Sequence, residues 1–128
     1  MKLMHTKCIF KDKRGEIRDI LIKERIDYVT IITNKKGCIR GNHYHKKTFQ
    51  WVYIIEGRMK FLTQMPGEPV VATVLKKGDL MMTEPMERHA MVALTDYIFM
   101  VFTRGVRGGK DYEKDTCRLK KPLEVLVR

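Results

Sequence analysis

Apolar and polar residues alternate along this chain in short runs of period two, the spacing of side chains on a half-buried β-strand rather than on a helix. The runs are rich in Val, Ile, Thr, Tyr and Phe and are cut by Gly, Pro, Asn or Asp, which predicts strands over 7–10, 16–22, 28–33, 39–45, 48–56, 58–64, 70–75, 80–83, 89–93, 97–103 and 124–127. Turn chemistry falls between them, at Lys13-Arg14-Gly15, Asn34-Lys35-Lys36-Gly37, Glu56-Gly57, Met65-Pro66-Gly67-Glu68-Pro69, Lys77-Gly78-Asp79 and Thr95-Asp96. Helical periodicity is nearly missing. A helix or turn is expected only at 110–115, after the glycine- and arginine-rich stretch 104–109. Short strands at this spacing predict an all-β sandwich or barrel.

A chain of 128 residues is long enough to bury one core, so a single domain over 1–128 is expected. No apolar run follows the first charges and none approaches membrane-spanning length, which predicts a soluble, cytoplasmic protein with no membrane partner. Cys8, Cys38 and Cys117 are scattered and odd in number, which argues against a disulfide framework and a structural zinc site. The formal charge of +11 favours anionic ligands. Because Lys and Arg are spread along the chain rather than gathered on one element, a small anionic ligand is expected in preference to nucleic acid.

Candidate chemistry sits in the predicted strand 39–45. His43 and His45 are two apart, so both imidazoles leave one face while Tyr44 leaves the other. If that face is the barrel interior, two polar rings are buried, and buried polar groups are costly unless something uses them. His5 lies outside any pattern.

From Gly37 to Gly57 the chain reads G-C-I-R-G-N-H-Y-H-K-K-T-F-Q-W-V-Y-I-I-E-G, and from Gly78 to His89 it reads G-D-L-M-M-T-E-P-M-E-R-H. These stretches resemble the first and second motifs of the cupins, which implies a double-stranded β-helix, or jelly-roll barrel, with little helix. The core motifs would occupy 37–93, with flanking strands over 7–33 and 97–127. Gln50 stands where metal-binding cupins have glutamate. The run Arg40-Gly41-Asn42-His43-Tyr44-His45-Lys46-Lys47-Thr48-Phe49-Gln50, with the tight turn Pro85-Met86-Glu87-Arg88-His89, is similar to that of the nucleotide-sugar 3,4-ketoisomerases. Those cupins act on dTDP-4-keto-6-deoxyhexoses in the making of glycan precursors, without a metal.

Carried over, the resemblance implies an isomerase or epimerase in which His43 and His45 move protons and no cofactor is required. Arg40, Gln50, His89 and Arg107 would bind the nucleotide-linked keto sugar. Imidazole suits proton transfer near neutral pH, and a guanidinium suits a diphosphate. The family's tyrosine on the preceding strand has no counterpart in Val29-Thr30-Ile31-Ile32. Two other readings of the same pocket stand beside this one. His43, His45, His89 and Gln50 would hold a divalent ion (iron, nickel, manganese or zinc) in a metal-dependent cupin, or the pocket would bind an anionic sugar without turnover. Among neighbouring residues, Glu87 would serve as an acid or ligand if it turned inward. Met81, Met82, Met86 and Met91 would form core or pocket wall. Phe49, Trp51 and Tyr53 line one face of their strand, suited to core or dimer contact. A homodimer through edge strands is expected.

Overall fold

The computed structural model describes residues 1–106 and 109–126. Its strands are β1 (Lys2–Met4), β2 (Lys7–Asp12), β3 (Gly15–Asp19), β4 (Tyr28–Asn34), β5 (Ile39–His45), β6 (Phe49–Glu56), β7 (Arg58–Gln64), β8 (Val71–Lys76), β9 (Leu80–Thr83), β10 (Arg88–Ala93), β11 (Tyr97–Arg104) and β12 (Thr116–Arg118). One helix, α1 (Gly109–Asp115), precedes β12, and a 3-10 turn covers Leu123–Val125. Two five-stranded antiparallel sheets, ordered β1-β9-β6-β11-β4 and β12-β5-β10-β7-β8, form the barrel, while β2 and β3 pair in a separate hairpin.

Strand alternation puts the core where the sequence pattern places it. Along β11, Tyr97, Phe99, Val101 and Thr103 are buried and their neighbours are half-buried. Tyr97, Phe99 and Val101 pack with Ile54, Met59, Phe61, Leu75 and Met81 in the core of the barrel, and Asn34 donates to the buried Tyr97 hydroxyl at 3.0 Å. A cavity is left open beside this core. Behind the second sheet, Leu62, Ala90 and Leu123 form a smaller cluster under the C-terminal segment.

Two short edge strands, β1 and β12, are additions to the expected set; at three residues each they carry too little alternation to be read locally. The expected strand at 124–127 is replaced by the 3-10 turn, with Val127 outside the described residues. Leu123 there docks into the small cluster while its backbone N–H donates to Asn42 Oδ1 at 2.9 Å. Among the described residues, no helix is long and apolar enough to cross a membrane.

Candidate active site

β5 and β10 carry the three histidines. His43 and His89 are direct cross-strand partners, and the ladder then slips, so that Ala90 pairs with Gly41 and Asn42 is the extra residue of a bulge. Gly41 and Asn42 both take left-handed backbone conformations, with φ of 93° and 56°. A side chain at Gly41 would bring its Cβ within 2.9 Å of the His89 carbonyl, so the close approach of β5 to β10 depends on glycine there. The bulge also reverses the alternation. Arg40 and His43, three apart, therefore line the same cavity.

The ring centres of His43 and His45 are 4.9 Å apart, those of His43 and His89 4.6 Å, and those of His45 and His89 5.5 Å. His45 and His89 are buried and His43 is half-buried. His89 Nδ1 lies 3.3 Å from the Glu87 carbonyl. A carbonyl only accepts, so Nδ1 carries the proton and Nε2 presents a lone pair. Burial first, then the neighbouring His43 and His45, hold the His89 ring well below the usual imidazole range. His45 is oriented from behind by Thr116 Oγ1, 3.2 Å from its Nδ1, with the Asp115 carboxylate at 3.7 Å. Asp115 is itself held, accepting from Lys47 N at 2.8 Å and from Thr48 Oγ1 at 2.5 Å.

The cavity measures about 620 Å³ including its open mouth. One wall is imidazole, from His43 and His89. Facing it, Gln50 is buried on β6 beside Thr83 of β9, its cross-strand neighbour. The floor is apolar, with Val52, Phe61, Phe99 and Val101, and Tyr112 of α1 reaches in from the mouth with its ring centre 5.9 Å from that of His45.

Of the residues expected from sequence, Arg40, His43, Gln50 and His89 line the cavity and His45 backs it; Arg107 lies outside the described residues. Arg40 is at the exposed rim, donating to the Thr33 carbonyl at 3.2 Å. Glu87 does not turn toward the histidines. Its buried carboxylate pairs instead with the amino-terminal ammonium and accepts from Glu84 N at 3.3 Å. Met81 and Met91 are core, whereas Met86 is exposed on the turn at φ 72°. Trp51 is buried on the outer face of β6 under the Arg104 guanidinium, 5.1 Å from the ring centre. Sequence reasoning missed Tyr112, Thr83, Asp115 and Thr116. The α1 residues and Thr116 reach the site only through tertiary pairing of β12 with β5, in which Thr116 opposes His45.

Residues 10–104 match the protein family described as the polysaccharide biosynthesis C-terminal domain. The chain belongs to that family. Within it the barrel is of the cupin type. A sequence search of curated proteins finds no match. Among solved structures, the family member is similar to QdtA, a sugar 3,4-ketoisomerase from Thermoanaerobacterium thermosaccharolyticum in complex with TDP, with a TM-score of 0.77 and 26% identity over 92% of this chain and 87% of that one. A histidine-to-asparagine variant of the same enzyme is seen with TDP-4-keto-6-deoxyglucose, at a TM-score of 0.76 and 25% identity over 91% of this chain and 85% of that one. A 3,4-ketoisomerase from Helicobacter canadensis (TM-score 0.78, 17% identity, 91% of this chain and 89% of that one) shares the fold. So does a dTDP-4-dehydrorhamnose 3,5-epimerase from Sulfolobus tokodaii (TM-score 0.70, 17% identity, 91% and 81%).

Proposed function

We propose that this chain is a nucleotide-sugar 3,4-ketoisomerase, acting on a TDP-linked 4-keto-6-deoxyhexose with His43 and His45 as its acid–base pair. The observation that carries this reading is the packing of His43, His45 and His89 against one another across a cavity from Gln50, an amide where a carboxylate would complete a metal site. The reaction moves a carbonyl from C4 to C3. A base removes the proton from C3 as O4 gains one, giving an enediol, and C4 is then reprotonated as O3 loses its proton. An imidazole fits the carbon-centred transfers because it gives and takes a proton near neutral pH. His45 is held for this work by Thr116, with the Asp115 charge beside it to stabilise the imidazolium that forms. Arg40 at the rim suits the diphosphate, and the apolar floor suits a deoxy carbon. The excess of positive charge draws the anionic substrate in. A homodimer belongs to this reading, joined through the edge strand β4, whose outward Val29 and Ile31 are 57% and 62% exposed.

One observation favours a metal-dependent reading: a ligand nitrogen from each of the three histidines lies within 4.8 Å of the others. Three neutral imidazoles would take an iron, nickel, manganese or zinc ion, and Gln50 would add an oxygen but no charge. The test is turnover of TDP-4-keto-6-deoxyglucose followed by NMR. Wild-type protein is expected to isomerise it with or without a chelator, and His43→Asn and His45→Asn to lose about 100-fold or more in kcat. Turnover abolished by chelation and restored by a divalent ion would replace this reading with the metal-dependent one. Thermal stabilisation by TDP without turnover would make the pocket a binding site only.

A further inference from the structure

We infer that Tyr112 is the third proton-handling group of this site, exchanging protons with the sugar oxygens while the histidines exchange them with carbon. The inference rests on the ketoisomerase reading. Isomerisation needs two kinds of transfer. The imidazole that takes a proton from C3 becomes the imidazolium that returns it to C4. Separately, one group must give a proton to O4 as C3 is deprotonated, then take one from O3 as C4 is reprotonated. Each group thus ends as it began, and no further reactant is needed.

The cavity limits the choice for the second task. Among the described residues, its protic side chains besides the histidines are Arg40, Gln50, Thr83 and Tyr112. An alcohol, a carboxamide and a guanidinium are all far weaker acids than an enediol, whereas a phenol is close to it in strength, the condition for efficient transfer both ways. His89 is not free to serve, because its N–H is committed to the Glu87 carbonyl at 3.3 Å.

Placement agrees with this choice. Tyr112 lines the cavity with its ring 5.9 Å from that of His45 and tilted by 51°. Three residues on, Asp115 pins the end of α1 to the turn after β5: its carbonyl accepts from Lys46 N at 2.9 Å and its carboxylate from Lys47 N and Thr48 Oγ1. The next residue, Thr116, pairs with His45. One anchor therefore sets both the phenol and the imidazole, so the distance between them is built in.

The experiment compares wild type, Tyr112→Phe and a variant with 3-fluorotyrosine at 112, using TDP-4-keto-6-deoxyglucose. Tyr112→Phe is expected to lower kcat about 100-fold while TDP affinity and Tm stay at wild-type values. The fluorinated variant, carrying a more acidic phenol, is expected to turn over and to move the alkaline limb of the kcat pH profile to lower pH. A Tyr112→Phe protein within about threefold of wild-type kcat would overturn the inference. So would a loss of TDP affinity or Tm in step with kcat, since that marks a packing role, or an unshifted profile for the fluorinated enzyme. Lack of turnover by wild type is a different result: it overturns the ketoisomerase reading, and this inference falls with it.

Discussion

His89 is the buried member of the histidine cluster whose charge state the fold controls. Its ring stacks near Phe61 at 6.1 Å and its pKa is lowered by burial and by His43 and His45. The unfolded chain takes up a proton at this position near pH 6.5, and the folded chain only at lower pH, so below about 6.5 the unfolded state holds more protons. Stability contributed by neutral His89 is therefore present above about pH 6.5 and drains away as pH falls, by up to about 1.4 kcal/mol per pH unit. Urea midpoints at pH 7 and pH 5 test this, with His89→Gln expected to show a shallower loss than wild type; equal losses would refute it. At this scale the sequence was informative where strand alternation applied. His43, His45 and Gln50 could be placed because period two fixes their faces, and His89 because a turn and a short strand lead to it. Alternation alone puts Arg40 on the face opposite His43. Only Gly41 inside the strand hints at the bulge that brings them together.

β5 is the element on which the site depends, and its bulge is braced from behind. The extra residue, Asn42, donates to Glu124 Oε2 at 2.9 Å and accepts from Leu123 N at 2.9 Å, while its carbonyl accepts from Leu119 N at 2.9 Å. The C-terminal segment is thus tied to the strand that carries the histidines, and Leu123 is fully buried against Leu62 and Ala90. Asn42→Ala removes the side-chain bonds to Glu124 and leaves the Leu123 N–H without its acceptor. It also puts an alanine where φ is 56°, a conformation asparagine tolerates better. The expected cost is about 1–3 kcal/mol in chemical denaturation, with faster amide exchange at 119–125. Exchange unchanged there would mean the segment is held by Leu123 alone. This bracing explains why 124–126 form no strand. Residues 124–127 have strand-like composition, but the Glu124 carboxylate accepts from the Asn42 side chain 82 positions away, and the preceding Leu123 N–H donates to the same side chain. The long strands β4, β6, β7 and β11 were legible because eight or so alternating residues outweigh local ambiguity, whereas β1, β12 and the seat of α1 depend on contacts that no local pattern encodes.

Taken whole, the molecule combines two tendencies that oppose each other. A charge of +11 on 128 residues repels a second copy and attracts an anionic ligand. The outward face of β4 does the reverse. Val29 and Ile31 lie beside Phe102 and Met100 of β11 on the outside of the first sheet, and β4 is the last strand of that sheet, its far edge unpaired among the described residues. An apolar face on an open edge is covered most simply by the same face of another copy, related by a two-fold axis. Salt separates the two effects, because screening weakens attraction to TDP and relieves repulsion between protomers. Raising sodium chloride from about 0.05 M to about 0.5 M shortens the Debye length severalfold. Across that range, TDP affinity by calorimetry is expected to fall while the dimer fraction by sedimentation rises. Val29→Lys with Ile31→Lys is expected to give a folded monomer at both salt concentrations. Wild-type protein that sediments as a monomer throughout, or a double variant that remains dimeric, would show that β4 is not the contact between copies.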